Sequence, residues 1–326
     1  MADSSAPKGG AAAWLQAARL RTLPLAASGI LGGSVLGYMT HFTTRRFAPP
    51  AYLEHLPWIL GLLLLTAFLL QILSNFANDY GDFSKGTDNA DRLGPERTLQ
   101  AGSLTPKAML RAMILTGILA FVTGVSALYL RFETALFTPT VGIFVGLGLL
   151  GIWAAVKYTV GKNAFGYRGL GDVFVFLFFG PVAVVGMYYV VADFVSIEAW
   201  LGALTFGLLA VAVLNLNNMR DIDNDRNSGK NTLVVSMGLD NARTYHITLI
   251  LLAWGGIIAL YLLHPEFRRV HLLWFLPGVL FVPHIKQVLG EPTPAALDPE
   301  LKKVALGALL LAICMLVSSF WWTPAW

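Results

Sequence analysis

The chain has 326 residues, 56% of them hydrophobic and only 13% charged. Soluble domains carry about 25% charged residues, so the composition excludes an ordinary water-soluble enzyme and points to an all-α, polytopic membrane protein. The net charge of +4 reads as loop charge facing a cytoplasm and not as a nucleic-acid footprint. The single Cys314 excludes an internal disulfide and a cysteine-based metal site, and the scattered histidines argue against zinc.

In chain order, residues 1–10 are short, polar and free of a cleavable signal or transit pattern. Residues 1–13 are expected to be a cytoplasmic tail on one integral membrane domain, 1–326. A helix needs about 20 apolar residues to cross the hydrocarbon core. Runs at 16–40, 57–78, 108–130, 135–157, 172–191, 199–219, 245–263, 271–289 and 302–322 meet that need. The first opens on Arg19, Arg21 and Pro24, which suit an interfacial lead-in before the span proper. With the N-terminus inside, 18 of the 23 Lys and Arg residues fall on the inner side, and Arg45, Arg46, Arg131, Arg268 and Arg269 fall outside. That asymmetry predicts nine spans with the C-terminus outside. A prokaryotic plasma membrane is the simplest home.

Two Asp/Asn-rich stretches, 75–88 and 217–225, follow the second and sixth runs and so share the inner face with the loop 158–172. Carboxylates are expensive at the edge of a bilayer. In the first stretch Asn78 and Asp82 are four apart and share a helical face, Asn75 lies one turn earlier, and Asp88 follows a turn at Gly86. Asp79 points about a quarter-turn away, as a supporting residue would. In the second, Asn217, Asp221 and Asp225 repeat the four-residue spacing, while Asp223 falls off that face. Like charges at that spacing repel on a bare helix, and a bound cation removes the penalty. Carboxylate and amide oxygens suit Mg²⁺, and two such groups can hold two ions against a diphosphate. Lys85, Lys162, Arg168 and Arg220 are candidate diphosphate contacts, and Arg220 and Arg226, which flank the second stretch, can hold phosphate or neutralise carboxylates. Tyr158 and Tyr167 can flank a carbocation or an aromatic acceptor, and Asp172 is placed to cap the fifth span.

Laid out in this way, the chain resembles the UbiA superfamily of intramembrane aromatic prenyltransferases over nearly its whole length. The motifs that carry the resemblance are Asn78-Asp79-Tyr80-Gly81-Asp82 after the second span and Asp221-Ile222-Asp223-Asn224-Asp225 after the sixth. Further segments, among them Asp91 to Arg97, Tyr167 to Asp172 and Asn217 to Leu233, look like the branch that prenylates 1,4-dihydroxy-2-naphthoate in menaquinone synthesis. Met187 departs from that branch, which often has threonine in its segment. The spacing from Asp82 to Asp88 is six where the superfamily has four. The resemblance implies a nine-helix bundle around a cavity open to lipid, polyprenyl diphosphate as donor, and release of CO₂ with formation of a demethylmenaquinol. One Mg²⁺ would rest on Asn78, Asp82 and Asp88, the other on Asn217, Asp221 and Asp225. Asp79, Asp91 and Tyr158 are the candidates for deprotonating or orienting the phenol. Two readings stay open: another aromatic acceptor such as 4-hydroxybenzoate, and a cation-coupled transporter.

Overall fold

A computed structural model describes residues 9–44, 51–87, 93, 97–264, 269–290 and 293–321. Among them every regular element is helical. A backbone in hydrocarbon must satisfy its own N–H and C=O groups, and a helix does so within one segment. Nine stretches of the described residues are long and apolar enough to cross a membrane, and each overlaps one predicted run.

Helix α1 (Ala11–Ala18) ends where Arg19 adopts a left-handed conformation, φ 49. The turn Leu20–Thr22 then leads into α2 (Leu23–Thr44). This is the lead-in expected from Arg19, Arg21 and Pro24. Helices α3 (Leu56–Lys85), α4 (Pro106–Phe132) and α5 (Pro139–Lys157) follow. The fifth crossing is composite: α6 (Gly171–Leu177), a π-helical stretch Phe178–Val185, and α7 (Gly186–Ala192). Pro181 lies in that stretch; proline cannot donate to the ladder and crowds the preceding turn, and the wider turn absorbs both defects. Helix α8 (Ile197–Arg220) is followed by the short α9 (Ile222–Asn227) and α10 (Leu233–Met237). The last crossings are α11 (Leu239–Leu263), α12 (Gly278–Leu289) after the 3₁₀ turn Arg269–Phe275, and α13 (Asp298–Ser319). Hydropathy marks only the apolar part of each helix. The hydrogen-bonded helices run past it, most of all α3, which continues through the polar residues to Lys85.

Helix α8 is the central post, packed against α2, α6, α11, α13 and the π-helical stretch. Its small residues Ala203, Ala210 and Ala212 are buried and let neighbouring backbones approach. The Thr205 hydroxyl donates to the Ala253 carbonyl of α11 at 3.1 Å. Helix α4 turns outward: Ile114, Leu115, Ile118 and Val122 are each more than half exposed. Such an apolar stripe belongs against lipid.

One buried polar chain staples the last three crossings. Nε2 of His246 on α11 lies 2.7 Å from Nε2 of His284 on α12. Nδ1 of His284 lies 2.7 Å from Glu300 of α13, which also accepts from Lys303 Nζ at 2.6 Å. Replacing Glu300 with Ala strands His284 without its partner, and an unsatisfied buried polar group costs about 1–3 kcal/mol. Glu300→Ala is therefore expected to lower the thermal unfolding midpoint in detergent, with Glu300→Gln milder. Equal midpoints for Glu300→Ala and the parent chain would refute the staple.

Candidate active site

The end of α3 is shaped by two glycines. Gly86, at φ 72, stops the helix, and the Thr87 amide donates back to the Asp82 carbonyl at 3.0 Å, a C-terminal cap that a residue with a Cβ disfavours. Gly81 permits the closest approach at this end: a Cβ there would lie 2.8 Å from the Thr159 carbonyl carbon. The loop after α5 therefore lies directly on the helix. Thr159 is gripped from both sides. Its hydroxyl donates to Asn78, and its carbonyl accepts from Lys85 Nζ at 2.7 Å.

The end of α8 differs from the continuous helical face expected of Asn217, Asp221 and Asp225. Asp221 sits at a break, φ −99 and ψ 14. Its amide still donates to the Asn217 carbonyl at 3.2 Å, and the Asp225 amide to the Asp221 carbonyl at 2.8 Å, so the register survives the break. Of the two roles expected of Arg220, the structure shows it pairing with carboxylates. Its side chain is 1% exposed. It holds the two Asp221 oxygens at 2.9 and 2.6 Å, Asn217 Oδ1 at 2.8 Å and Asp298 at 2.5 Å. A bidentate guanidinium–carboxylate pair is rigid, so Arg220 anchors the second acidic group, and Asn217 and Asp221 share their oxygens with it.

Hydrogen bonds across the chain join the two ends. Asn224 Nδ2 donates to the Thr87 carbonyl at 3.0 Å, and the Asn231 amide to the Tyr167 carbonyl at 3.1 Å. The Tyr167 hydroxyl donates to Asp82 at 2.7 Å. Lys85 Nζ stands 3.6 Å above the Tyr167 ring and Lys230 Nζ 5.6 Å above it. Lys230 also lies 3.4 Å from Asp225 Oδ1. Asp82, Asp225, Lys85, Tyr158 and Tyr167 thus share one neighbourhood with Lys230, and Asp221 stands close enough to Asp225 for its charge to act there. Sequence reading placed Lys230 in the segment Asn217 to Leu233 but gave it no site role. The available signal was Gly229, φ 69, whose turn brings the Lys230 amide back to the Asp225 carbonyl.

Other candidates go elsewhere. Lys162 and Arg168 are exposed, and Arg168 donates to Asn163 at 2.7 Å. Asp79, offered both as a supporting residue and as an acid–base group, is 1% exposed and pairs with Arg19 and Arg97. Its geometry is that of an anchor for the lead-in segment. Asn75 serves the same junction, donating to the Ala18 carbonyl at 2.9 Å and to Thr22 at 3.1 Å. Asp172 is not the cap of the fifth crossing: Leu170 holds that position, and Asp172 accepts from Tyr245 at 3.2 Å. Asp88 and Asp91 lie outside the described residues.

Burial first, and then the Asp221 and Asp82 charges against the opposing pull of Lys230, push the Asp225 carboxyl up to about 6. Burial raises the hydroxyl pKa values of Tyr158 and Tyr167, and neighbouring carboxylates raise them further. Both phenols are therefore donors at neutral pH, and of the two roles expected of Tyr158, deprotonating or orienting a phenol, a protonated hydroxyl suits the second. The acidic groups fit Mg²⁺ by their chemistry: every donor is oxygen. Two buried acceptors, Asp225 Oδ2 and Asn224 Oδ1, have no hydrogen-bond partner.

A cavity of about 260 Å³ shares Tyr158 with this neighbourhood. Its wall is apolar apart from Gln71, Ser74, Tyr158 and Thr66. An aromatic ladder leads along it from Tyr158: Tyr158 meets Phe165 edge-on at 5.4 Å, Phe165 stacks on Phe174 at 3.9 Å, and Phe174 faces Phe178 at 6.5 Å. Aromatic faces attract a nearby cation. Met187, the departure noted in the sequence, lines the same cavity.

The UbiA prenyltransferase family profile matches residues 47–298. A 1,4-dihydroxy-2-naphthoate octaprenyltransferase of Escherichia coli K12 is 41% identical over 316 residues, covering 94% of this chain and 95% of the relative. One of Haemophilus influenzae is 39% identical, covering 92% and 93%. Among solved structures, a UbiA homologue from Archaeoglobus fulgidus bound to DMAPP and Mg²⁺ superimposes with a TM-score of 0.53 at 15% identity, covering 92% of this chain and 98% of that one; at that identity the likeness is one of fold.

The contact at Gly81 makes a sharp prediction. Gly81→Ala inserts a methyl against the Thr159 backbone, and overpacking costs about 1–3 kcal/mol. The variant is expected to fold, to melt earlier and to lose most activity as Thr159 is displaced. Full activity would mean that the loop need not lie on α3.

Proposed function

The chain belongs to the UbiA prenyltransferase family, and from that premise we propose that it transfers a polyprenyl group from polyprenyl diphosphate to 1,4-dihydroxy-2-naphthoate, releasing diphosphate and CO₂ and giving a demethylmenaquinol. The observation that carries the reading is the meeting of two acidic helix ends, through Asn224 and Thr87, beside a long apolar cavity. The relatives' names supply the acceptor. The protein spans a membrane many times; in this reading it is a bacterial plasma membrane with the acidic groups on the cytoplasmic side.

Asp82 and Asp225 are the principal cation ligands, assisted by Asp221, Asn78 and Asn217, with Asp88 as the remaining candidate. Two bound Mg²⁺ ions supply Lewis-acid charge to the diphosphate. Lys85 adds positive charge at the same end. The prenyl tail lies in the cavity, whose dry wall keeps water from the allylic carbon. As the C–O bond breaks, its electron pair leaves with the diphosphate and positive charge grows on the allylic carbon beside the Tyr158–Phe165–Phe174 ladder. The electron-rich ring carbon bearing the carboxylate attacks that carbon. The carboxylate then departs as CO₂, and the released electron pair restores the aromatic ring. The Tyr158 hydroxyl, held protonated, orients the acceptor.

Membranes holding the protein are expected to convert polyprenyl diphosphate and 1,4-dihydroxy-2-naphthoate, with Mg²⁺, to a decarboxylated prenyl naphthoquinol identified by mass. EDTA is expected to abolish product, and 4-hydroxybenzoate to give none. Asp82→Asn and Asp225→Asn should each lower turnover by about 100-fold or more, as loss of transition-state charge stabilisation does. Near-normal turnover in either variant at saturating Mg²⁺ would sink the site assignment.

A pH dependence follows from Asp225. Its pKa rises from 3.8 to about 6 in the folded protein. Without a cation, the folded state binds more protons than the unfolded one between those values, so stability falls as pH rises through that window. A divalent cation competes with the proton. Its affinity is expected to weaken as pH falls below about 6, approaching tenfold per pH unit for one proton, while binding at pH 6 releases protons measurable by calorimetry in two buffers.

A further inference from the structure

Lys230 has a role that the acidic motifs do not account for. Its side chain is 13% exposed. Its backbone is pinned, the amide donating to the Asp225 carbonyl at 2.8 Å and that of Asn231 to the Tyr167 carbonyl at 3.1 Å. The ammonium is held less tightly. It stands 3.4 Å from Asp225 Oδ1, longer than the roughly 2.7–2.9 Å of a charge-assisted hydrogen bond.

Arg220 is the useful contrast. It grips Asp221 through two bonds of 2.9 and 2.6 Å and is locked further by Asn217 and Asp298. A planar guanidinium fork is built for permanent pairing, whereas an ammonium on a flexible stem is a movable point charge. Among the described residues, Arg220 is thus a cation fixed by four short bonds, whereas Lys230 is held by one longer contact to Asp225 and is near enough to Asp82 for their charges to interact. Asp225 Oδ2 has no hydrogen-bond partner among the described residues.

We propose that Lys230 is an exchangeable counter-ion: it neutralises the Asp82–Asp225 pair before substrate arrives, gives up those carboxylates to divalent cations, and turns its ammonium to the incoming diphosphate. The second half rests on the prenyl-diphosphate reading above; the first does not. Two consequences separate this role from a structural one. Lys230 competes with the divalent cation for the same carboxylates, so removing it strengthens cation binding. It also favours the diphosphate, so removing it weakens substrate binding.

The test uses the purified full chain in nanodiscs, as parent, Lys230→Met and Lys230→Arg. Thermal unfolding is followed against Mg²⁺ alone, then initial rates against polyprenyl diphosphate at saturating Mg²⁺. Lys230→Met is expected to melt earlier without Mg²⁺ and to reach its stabilised state at about tenfold lower Mg²⁺, because a unit charge a few Å away is removed. Its KM for polyprenyl diphosphate is expected to rise about tenfold with kcat changed much less, and Lys230→Arg to restore KM. A Mg²⁺ midpoint unchanged or raised in Lys230→Met would overturn the competition. An unchanged KM would overturn the transfer to diphosphate. Lys230→Gln replaces Lys230→Met if the latter does not yield folded protein. Absence of any Mg²⁺-dependent product from the parent chain would remove the prenyl-transfer reading, while the Mg²⁺ midpoint, measured without substrate, would still decide the competition.

Discussion

Carboxylates at the rim of a hydrocarbon slab are tolerated only where cations or donors meet them, and the acidic end of this bundle is organised around that constraint. Asp79 draws in Arg19 and Arg97, which fastens α1 and the segment near residue 97 to α3. Asp221 draws in Arg220, which carries Asp298 and hence the start of α13. Asp82 takes the Tyr167 hydroxyl, and Asp225 takes Lys230. These pairings tie residue 19, residues 79–82, residue 97, residue 167, residues 220–230 and residue 298 together at this end of the bundle.

The pairings differ in permanence, and function follows the difference. The Arg19–Asp79 and Arg220–Asp221 pairs are buried and tight; removing one partner of such a pair strands a charge at a cost of about 3–5 kcal/mol. They are scaffold. Around Asp82 and Asp225 the contacts are a phenol and a loosely seated ammonium, with an acceptor left over. Groups held in that way can accept a divalent cation without dismantling the helix ends.

Chemistry at an allylic cation needs charge at one end and dryness at the other. The two meet at Tyr158. Its carbonyl accepts from the Gly166 amide at 3.0 Å, its ring begins the aromatic ladder, and its neighbour Thr159 is fixed to α3 by Asn78 and Lys85. The loop after α5 thus joins the polar mouth to the apolar cavity, which Phe178, Phe179, Val182 and Ala183 of the π-helical stretch also line.

The sequence by itself determined the nine crossings, the lead-in at Arg19, the common side of the two acidic stretches, and the family, because apolar length, loop charge and spaced carboxylates are local properties written along the chain. It left two roles open for each of Arg220, Asp79 and Tyr158, and it gave Lys230 no site role. Spacing states which residues share a helical face, but it is silent on which distant partner a side chain meets. Only the tertiary structure decided that Arg220 belongs to Asp221 and Asp298, that Asp79 belongs to Arg19, and that Lys230 stands beside Asp225. Those outcomes depend on how the ends of α3 and α8 abut and on the turn at Gly229, and a charge in a low-dielectric site takes its role from whatever lies within a few Å of it.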